Sequence, residues 1–271
     1  MPATHSFSFN LKYGAYRRFG FAPLLGLIFL FSPLKTTAQT LSIQKIHCSL
    51  NKDDAATIEK IAHYETNFYN AVFDTEKNDS LKINVHIFGR KEDFRQTPNG
   101  DNALHVSSDG YYLAKTGDVF VLKTDHLNAS LLHEISHAIL HQNMGNPPQW
   151  FDEGLATYFG SLIVEKNQIF YTPVTGRIER IREMNQKGIL NLANYLDTNN
   201  KRWAGSEATI NDQYTIAYSI IYFLVKTNLN LIKHLADELK NGQSAMTILG
   251  QDFGGFDFFQ SKYISFYKNQ N

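Results

Sequence analysis

Gly145-Asn146-Pro147-Pro148 cuts the most regular helical pattern of the chain in two, and whatever the fold is, it must place a tight break there. Before the break, Leu131, Leu132, Ile135, Ala138, Ile139 and Gln142 recur at helical spacing up to about Met144, with Asp125 placed to cap the helix and Gly145 to stop it. Proline cannot continue a helix, because it lacks the N–H and its ring collides with the preceding turn. Pro148 suits the first turn of a new one. A second helix over roughly 149–164 is therefore predicted to fold back against the first, with Gly154 giving room for close approach and Trp150 packing the two together.

Upstream, the periodicity is mixed. Residues 53–73 read as an amphipathic helix capped by Asp53 or Asp54, with Ile58, Ile61, Ala62, Tyr64 or Glu65, Phe68 and Val72 along one stripe. Residues 82–88 (KINVHIF) alternate as a half-buried strand should, and 110–114 with 118–123 read as a hairpin across Lys-Thr-Gly. Downstream, helices are predicted over 177–186, 211–227 and 229–241, then an aromatic-rich segment over 253–267 whose spacing points to core packing. The expected class is α+β: a small mixed or antiparallel sheet beside the helix that ends at the break, then a mainly helical C-terminal part. In domain terms, 40–145 form an α/β part and 146–271 a helical part.

The N-terminus carries Lys12, Arg17 and Arg18, an apolar run over 19–31, and Thr36-Thr37-Ala38 with small residues where a signal peptidase reads. Thirteen helical residues reach about 20 Å, short of the roughly 30 Å hydrocarbon layer. Residues 1–39 are thus expected to be a cleaved export signal, with an uncleaved anchor as the alternative. The run at 219–225 (SIIYFLV) is too short to span, so no stable membrane span is expected after cleavage. Lys plus Arg and Asp plus Glu balance at 26 each, and no basic excess points to nucleic acid. Cys48 is the single cysteine, which excludes an intramolecular disulfide. Arg177, Arg180 and Arg182 form a modest basic cluster, read as a solvated face, and Trp203 could line a cleft.

The helix before the break contains His133-Glu134-Ile135-Ser136-His137, an H-E-x-x-H pattern. Residues i and i+4 share a helical face, so both imidazoles can point at one ion, most simply zinc. Glu134 lies about 100° around the helix, placed to take a proton from a water that the ion acidifies. A catalytic zinc site needs a third protein ligand. Glu153, on the helix after the break, is the favoured one. Asp152 has a shorter arm and points about 100° away. His141 continues the histidine series, but eight residues of helix span about 12 Å, too far for one ion to be shared with His133.

The stretch HEISHAILHQNMGNPPQWFDEGLATYF resembles the gluzincin metallopeptidases, in particular the peptidase MA-like group, in which a W-x-x-E-G-x-A helix supplies the glutamate ligand. The resemblance spans about 120–238. It implies a zincin-like fold, a single zinc ion on His133, His137 and Glu153, Glu134 as general base, and peptide bonds as substrate. It also extends to Gln213-Tyr214-Thr215-Ile216-Ala217-Tyr218, similar to a helix that in related enzymes offers a tyrosine hydroxyl to the intermediate. Tyr214 is the candidate on that basis, with Tyr218 as the alternative. Two departures stand out: Thr157 occupies a position where many members carry an acid that supports a histidine ligand, and no G-x-M-E-N strand precedes the helix. The expectation is an exported zinc peptidase whose substrate could pair with the strand at 118–123. The alternatives are a non-catalytic assembly factor of the cell envelope, or a zinc hydrolase of another amide or ester.

Overall fold

The structure is a computed structural model that describes residues 40–100, 109–165, 168–197 and 206–269. The proposed signal segment and Trp203 lie outside the described residues. The first half holds β1 (Thr40–Ile46), α1 (Lys52–Phe73), a 3-10 turn at Lys77–Ser80, β2 (Lys82–Phe88), α2 (Lys91–Arg95), β3 (Gly110–Leu113) and β4 (Asp118–Leu122). These strands form one mixed sheet in the order β1-β2-β4-β3, with β1, β2 and β4 parallel and β3 antiparallel to β4. The architecture is the mixed α+β class that the periodicity predicts.

The alternation in each strand decides its two faces. Ile83, Val85 and Ile87 of β2, with Val119 and Val121 of β4, face the main core. Phe120 and Leu122 point to the other face, where they meet Phe88 and Phe94 in a smaller apolar cluster. β4 is thus buried on both faces and flanked on both edges, so it has no free edge for a substrate. That corrects the expectation for 118–123: the strand at this edge of the sheet is β3.

Helix boundaries differ from expectation at their caps. At α1 it is Asn51 that caps, accepting from the Asp54 N–H at 2.7 Å while the Asp54 carboxylate accepts from the Asn51 N–H at 3.1 Å. The reciprocal pair satisfies two otherwise orphaned donors. After β4 the chain enters α3 (Leu127–Met144), with His126 at the cap position and Asp125 one residue too early to serve.

Past the break, α4 (Gln149–Gly160) stops four residues short of the predicted end, and Leu162–Glu165 turns into β5, paired antiparallel with β6 (Gln168–Tyr171). A run as short as Leu-Ile-Val does not separate strand from helix by periodicity. Then follow α5 (Thr175–Gln186), α6 (Leu192–Leu196), α7 (Glu207–Thr227), α8 (Leu229–Lys240), α9 (Ala245–Phe253) and α10 (Phe256–Lys268). The predicted aromatic segment is broken at Gly254-Gly255, whose φ of 78° and 134° suit glycine and stop the helix. Phe259, Tyr263 and Tyr267 lie in the core, while Phe258 is exposed.

One buried cluster runs from Ile58 on α1 through β2, β4, α3, α4 and α7 to Tyr267 on α10. The α/β part and the helical part therefore share a core. Each fully buried Leu or Ile in it contributes about 1.5–3 kcal/mol. Among the described residues no helix is long and apolar enough to cross a membrane.

Candidate metal centre

α3 and α4 form a tight helical hairpin. Its close approach lies at Gly160, where an added Cβ would sit 3.3 Å from the Ala129 carbonyl oxygen and 3.5 Å from the His133 Cβ. This brings the third helical candidate to the two histidines. The Nε2 atoms of His133 and His137 are 3.1 Å apart, and Glu153 Oε2 lies 3.4 Å from the first and 3.6 Å from the second. Ligand atoms about 2.0–2.1 Å from a tetrahedral zinc are separated by about 3.3 Å, so this triangle has the size of one face of such a site. Glu153 Oε2 is buried and has no hydrogen-bond partner among the described residues. A buried carboxylate oxygen left unsatisfied and aimed between two imidazole nitrogens fits a cation, and the nitrogen and oxygen donor set suits zinc.

Asp152, the rival third ligand, does something else. Its Oδ1 accepts from His137 Nδ1 at 2.5 Å and its Oδ2 from His141 Nε2 at 2.9 Å. A carboxylate only accepts, so His137 must carry a proton on Nδ1, which leaves Nε2 as the ring atom that faces Glu153 and His133. His137, His141 and Asp152 also lie close enough to form a second cluster, but their separations are those of direct hydrogen bonds. His141 is thus a neighbour held by Asp152, as its distance along the helix requires. The support that Thr157 does not provide comes from Asp152 instead. Burial opposes charge on His137, yet Asp152 and then Glu153 outweigh it and push the imidazole up to about 10. Burial likewise works against the Asp152 charge, and His137 overcomes it, holding the carboxyl well below the usual range.

Glu134 lies against the sheet, within reach of the charges of both imidazoles. It is 4% exposed, and burial raises its carboxyl above the ordinary range, with His133 and His137 opposing that shift. Gly110 on the edge strand β3 lies against it. A Cβ there would meet Glu134 Cγ at 3.0 Å and Val121 Cγ1 at 2.8 Å.

Gly154 allows close approach to a different helix from the one expected. An added Cβ would lie 2.8 Å from Ile221 Cγ1 and 2.9 Å from the Ala217 carbonyl oxygen, both on α7. With Gly154 against Ala217, Glu153 faces the preceding turn of α7, where Tyr214 stands. The Tyr214 hydroxyl donates to the Glu153 carboxylate, and burial followed by the Glu153 charge raises its pKa well above 10. Tyr218 is turned elsewhere: its hydroxyl bonds to Tyr171 and accepts the Val174 N–H at 3.1 Å, tying the β6–α5 loop to α7.

Two further charged groups are buried: Arg177, expected on a solvated face, and Glu65, expected on the apolar stripe as an alternative to Tyr64. Of the arginine cluster on α5, Arg180 pairs in bidentate fashion with Asp212 and Arg182 donates to the Tyr267 carbonyl, but Arg177 is buried and bonds to Thr215. The reading of a solvated face is wrong for Arg177. Arg177 and Arg180 are three residues apart and so neighbours on the helix surface, and their spacing alone carries no signal that separates the buried one from the paired one. On α1, Glu65 is 0% exposed and neither of its oxygens has a hydrogen-bond partner. Its place on the apolar stripe marks it as buried.

A family model described as a protein of unknown function (DUF1570) matches residues 128–242, less than half of the chain. The match takes in almost all of α3, the hairpin break, α4 with Glu153, and α7. No match is found among curated proteins.

Proposed function

We propose that this protein is a zinc-dependent peptidase of the gluzincin type, acting outside the cytoplasm. The observation that carries the proposal is the triangle of His133 Nε2, His137 Nε2 and the unsatisfied Glu153 Oε2, with the buried Glu134 beside it. His133, His137 and Glu153 would hold the ion. When bound, zinc acidifies a water towards a pKa of about 7 and polarises a carbonyl.

The protein's own groups do the rest. Glu134, whose pKa burial raises, is a stronger base than an ordinary carboxylate, and takes the proton of the attacking water before passing it to the leaving amine. Tyr214 keeps its proton at neutral pH, so it is available as a donor to the carbonyl oxygen as negative charge develops there. Asp152 fixes the His137 tautomer. In this reading an extended peptide would lie along β3, the edge strand beside Glu134. The N-terminal apolar run supports export as the setting.

The test combines metal analysis with digestion of a broad peptide library, with and without chelator, by the wild type and Glu134→Gln. Expected are one zinc per chain, cleavage that chelator abolishes, and a loss of about 10²–10⁴-fold in Glu134→Gln with zinc retained. Absence of stoichiometric zinc rejects the proposal. A zinc-loaded protein that cleaves no peptide favours the assembly factor, or a hydrolase of another amide or ester.

A further inference from the structure

Arg177 is a cation with an incomplete set of partners. It lies on α5, is buried, and its Nη1 donates to Thr215 Oγ1 at 3.0 Å. Thr215 is itself 2% exposed and supplies one acceptor to a guanidinium with five N–H donors. Among the described residues no carboxylate lies within ion-pair distance of Arg177, whereas Arg180 on the same helix has both Asp212 and Glu183. Burying an unpaired charge is unfavourable, and a fold keeps one where something of opposite charge arrives.

The position of the group says what could arrive. Thr215 follows Tyr214 in α7, and the Tyr214 hydroxyl donates to Glu153, so consecutive residues link Arg177 to the metal centre. Tyr218, Tyr214 and Glu153 are near enough to act on its charge electrostatically. Glu153 favours the Arg177 charge from a distance, but its Oε2 is aimed at the two histidines and makes no ion pair with the guanidinium.

We propose that Arg177, braced by Thr215, is a receptor for a carboxylate that the substrate carries beside the bond to be cut. The planar guanidinium fork matches a carboxylate in bidentate fashion. One cation beside a neutral hydroxyl balances a single negative charge, which favours a carboxylate over a phosphate dianion. A carboxylate near a scissile amide is either the C-terminus of the peptide or an acidic side chain next to that amide. The receptor rests on the hydrolase reading only for the word substrate, since binding of the anion needs no turnover.

The test measures binding by calorimetry to the full chain carrying Glu134→Gln, with zinc and again in chelator. The probes are acetyl-Ala-Ala-Phe with a free C-terminus, the same peptide as its C-terminal amide, and acetyl-Ala-Ala-Asp amide. The free acid is expected to bind roughly 30-fold or more tightly than its amide. Arg177→Met is expected to abolish that difference, and Arg177→Lys to restore part of it, because charge returns without the fork.

If the amidated aspartate peptide binds as tightly as the free acid, the receptor takes an acidic side chain. If it binds as weakly as the other amide, the receptor takes a C-terminus. Acid-over-amide preference that persists in a protein without peptide turnover keeps the receptor and rejects the peptidase. If neither the free acid nor the amidated aspartate peptide binds more tightly than acetyl-Ala-Ala-Phe amide to the unsubstituted Arg177 protein, or no probe binds at millimolar concentration, the proposal is overturned. That comparison needs no change at Arg177, so a misfolded Arg177→Met leaves it decisive.

Discussion

His137 Nδ1 lies 2.5 Å from Asp152 Oδ1, and the other oxygen of the same carboxylate holds His141 at 2.9 Å. One aspartate on α4 thereby orients two imidazoles on α3, and only one of them faces the candidate metal centre. Outer partners of this kind raise the basicity of a histidine ligand and fix its ring. Asp152→Ala is expected to weaken zinc binding by about 10- to 100-fold while His133, His137 and Glu153 remain in place. Competition with a chromophoric chelator measures this directly, and an unchanged affinity would mean that Asp152 has no such role.

Gly110 is the point where the edge strand touches the base. A methyl group there would lie 3.0 Å from Glu134 Cγ and 2.8 Å from Val121 Cγ1, so Glu134 or β3 must shift. Gly110→Ala is expected to lower kcat by about 10- to 100-fold, the scale of a misplacement near 1 Å, with zinc content unchanged. Full activity in that variant would show that β3 yields without moving the base.

At Gly154 the predicted effect is on stability. Its neighbours at 2.8–3.1 Å include the Ala217 backbone, which has less freedom to move than the end of a side chain. Gly154→Ala should destabilise the protein by about 1–3 kcal/mol, offset in part by the better helix propensity of alanine. Thermal unfolding gives the sign. A raised midpoint would show that α4 and α7 separate at little cost.

Glu65 gives a pH-dependent prediction. Unfolded, a glutamate titrates near about 4.3. In the fold, burial raises Glu65 well above that, with the His137 charge opposing. The folded protein therefore holds a proton that the unfolded chain has released. This group leaves stability intact below the ordinary carboxylate range and reduces it as pH rises from there through the folded pKa. Glu65→Leu should stabilise by about 1–3 kcal/mol, and by more at pH 8 than at pH 5. Denaturant midpoints at the two pH values check it, and a gain that is absent or equal at both would contradict the assignment.

Much of the frame is local and therefore legible in the chain. The i, i+4 spacing of His133 and His137, the stop at Gly145 and the fresh start at Pro148 follow from backbone geometry alone. The alternation in KINVHIF places Ile83, Val85 and Ile87 on the buried face for the same reason. Misreadings fall where two elements meet. Gly154 serves α7 rather than α3, while Gly160 provides the approach to α3, because each glycine's neighbour is set by a crossing of helices distant in sequence. The strand 118–123 is recognisable as a strand, but its central place depends on β2 joining it from the other side.

The H-E-x-x-H spacing and the proline break by themselves determine that two imidazoles share a face and that a second helix returns beside them. Tertiary structure alone decides which carboxylate faces Nε2 and which faces Nδ1, since Asp152 and Glu153 are adjacent and both acidic. It decides that Tyr214, rather than Tyr218, reaches Glu153, and that Arg177 is enclosed while Arg180 is paired. Periodicity within one helix fixes the directions of its side chains. What stands at the end of each direction depends on how closely another helix approaches, and here that distance is set by single glycines.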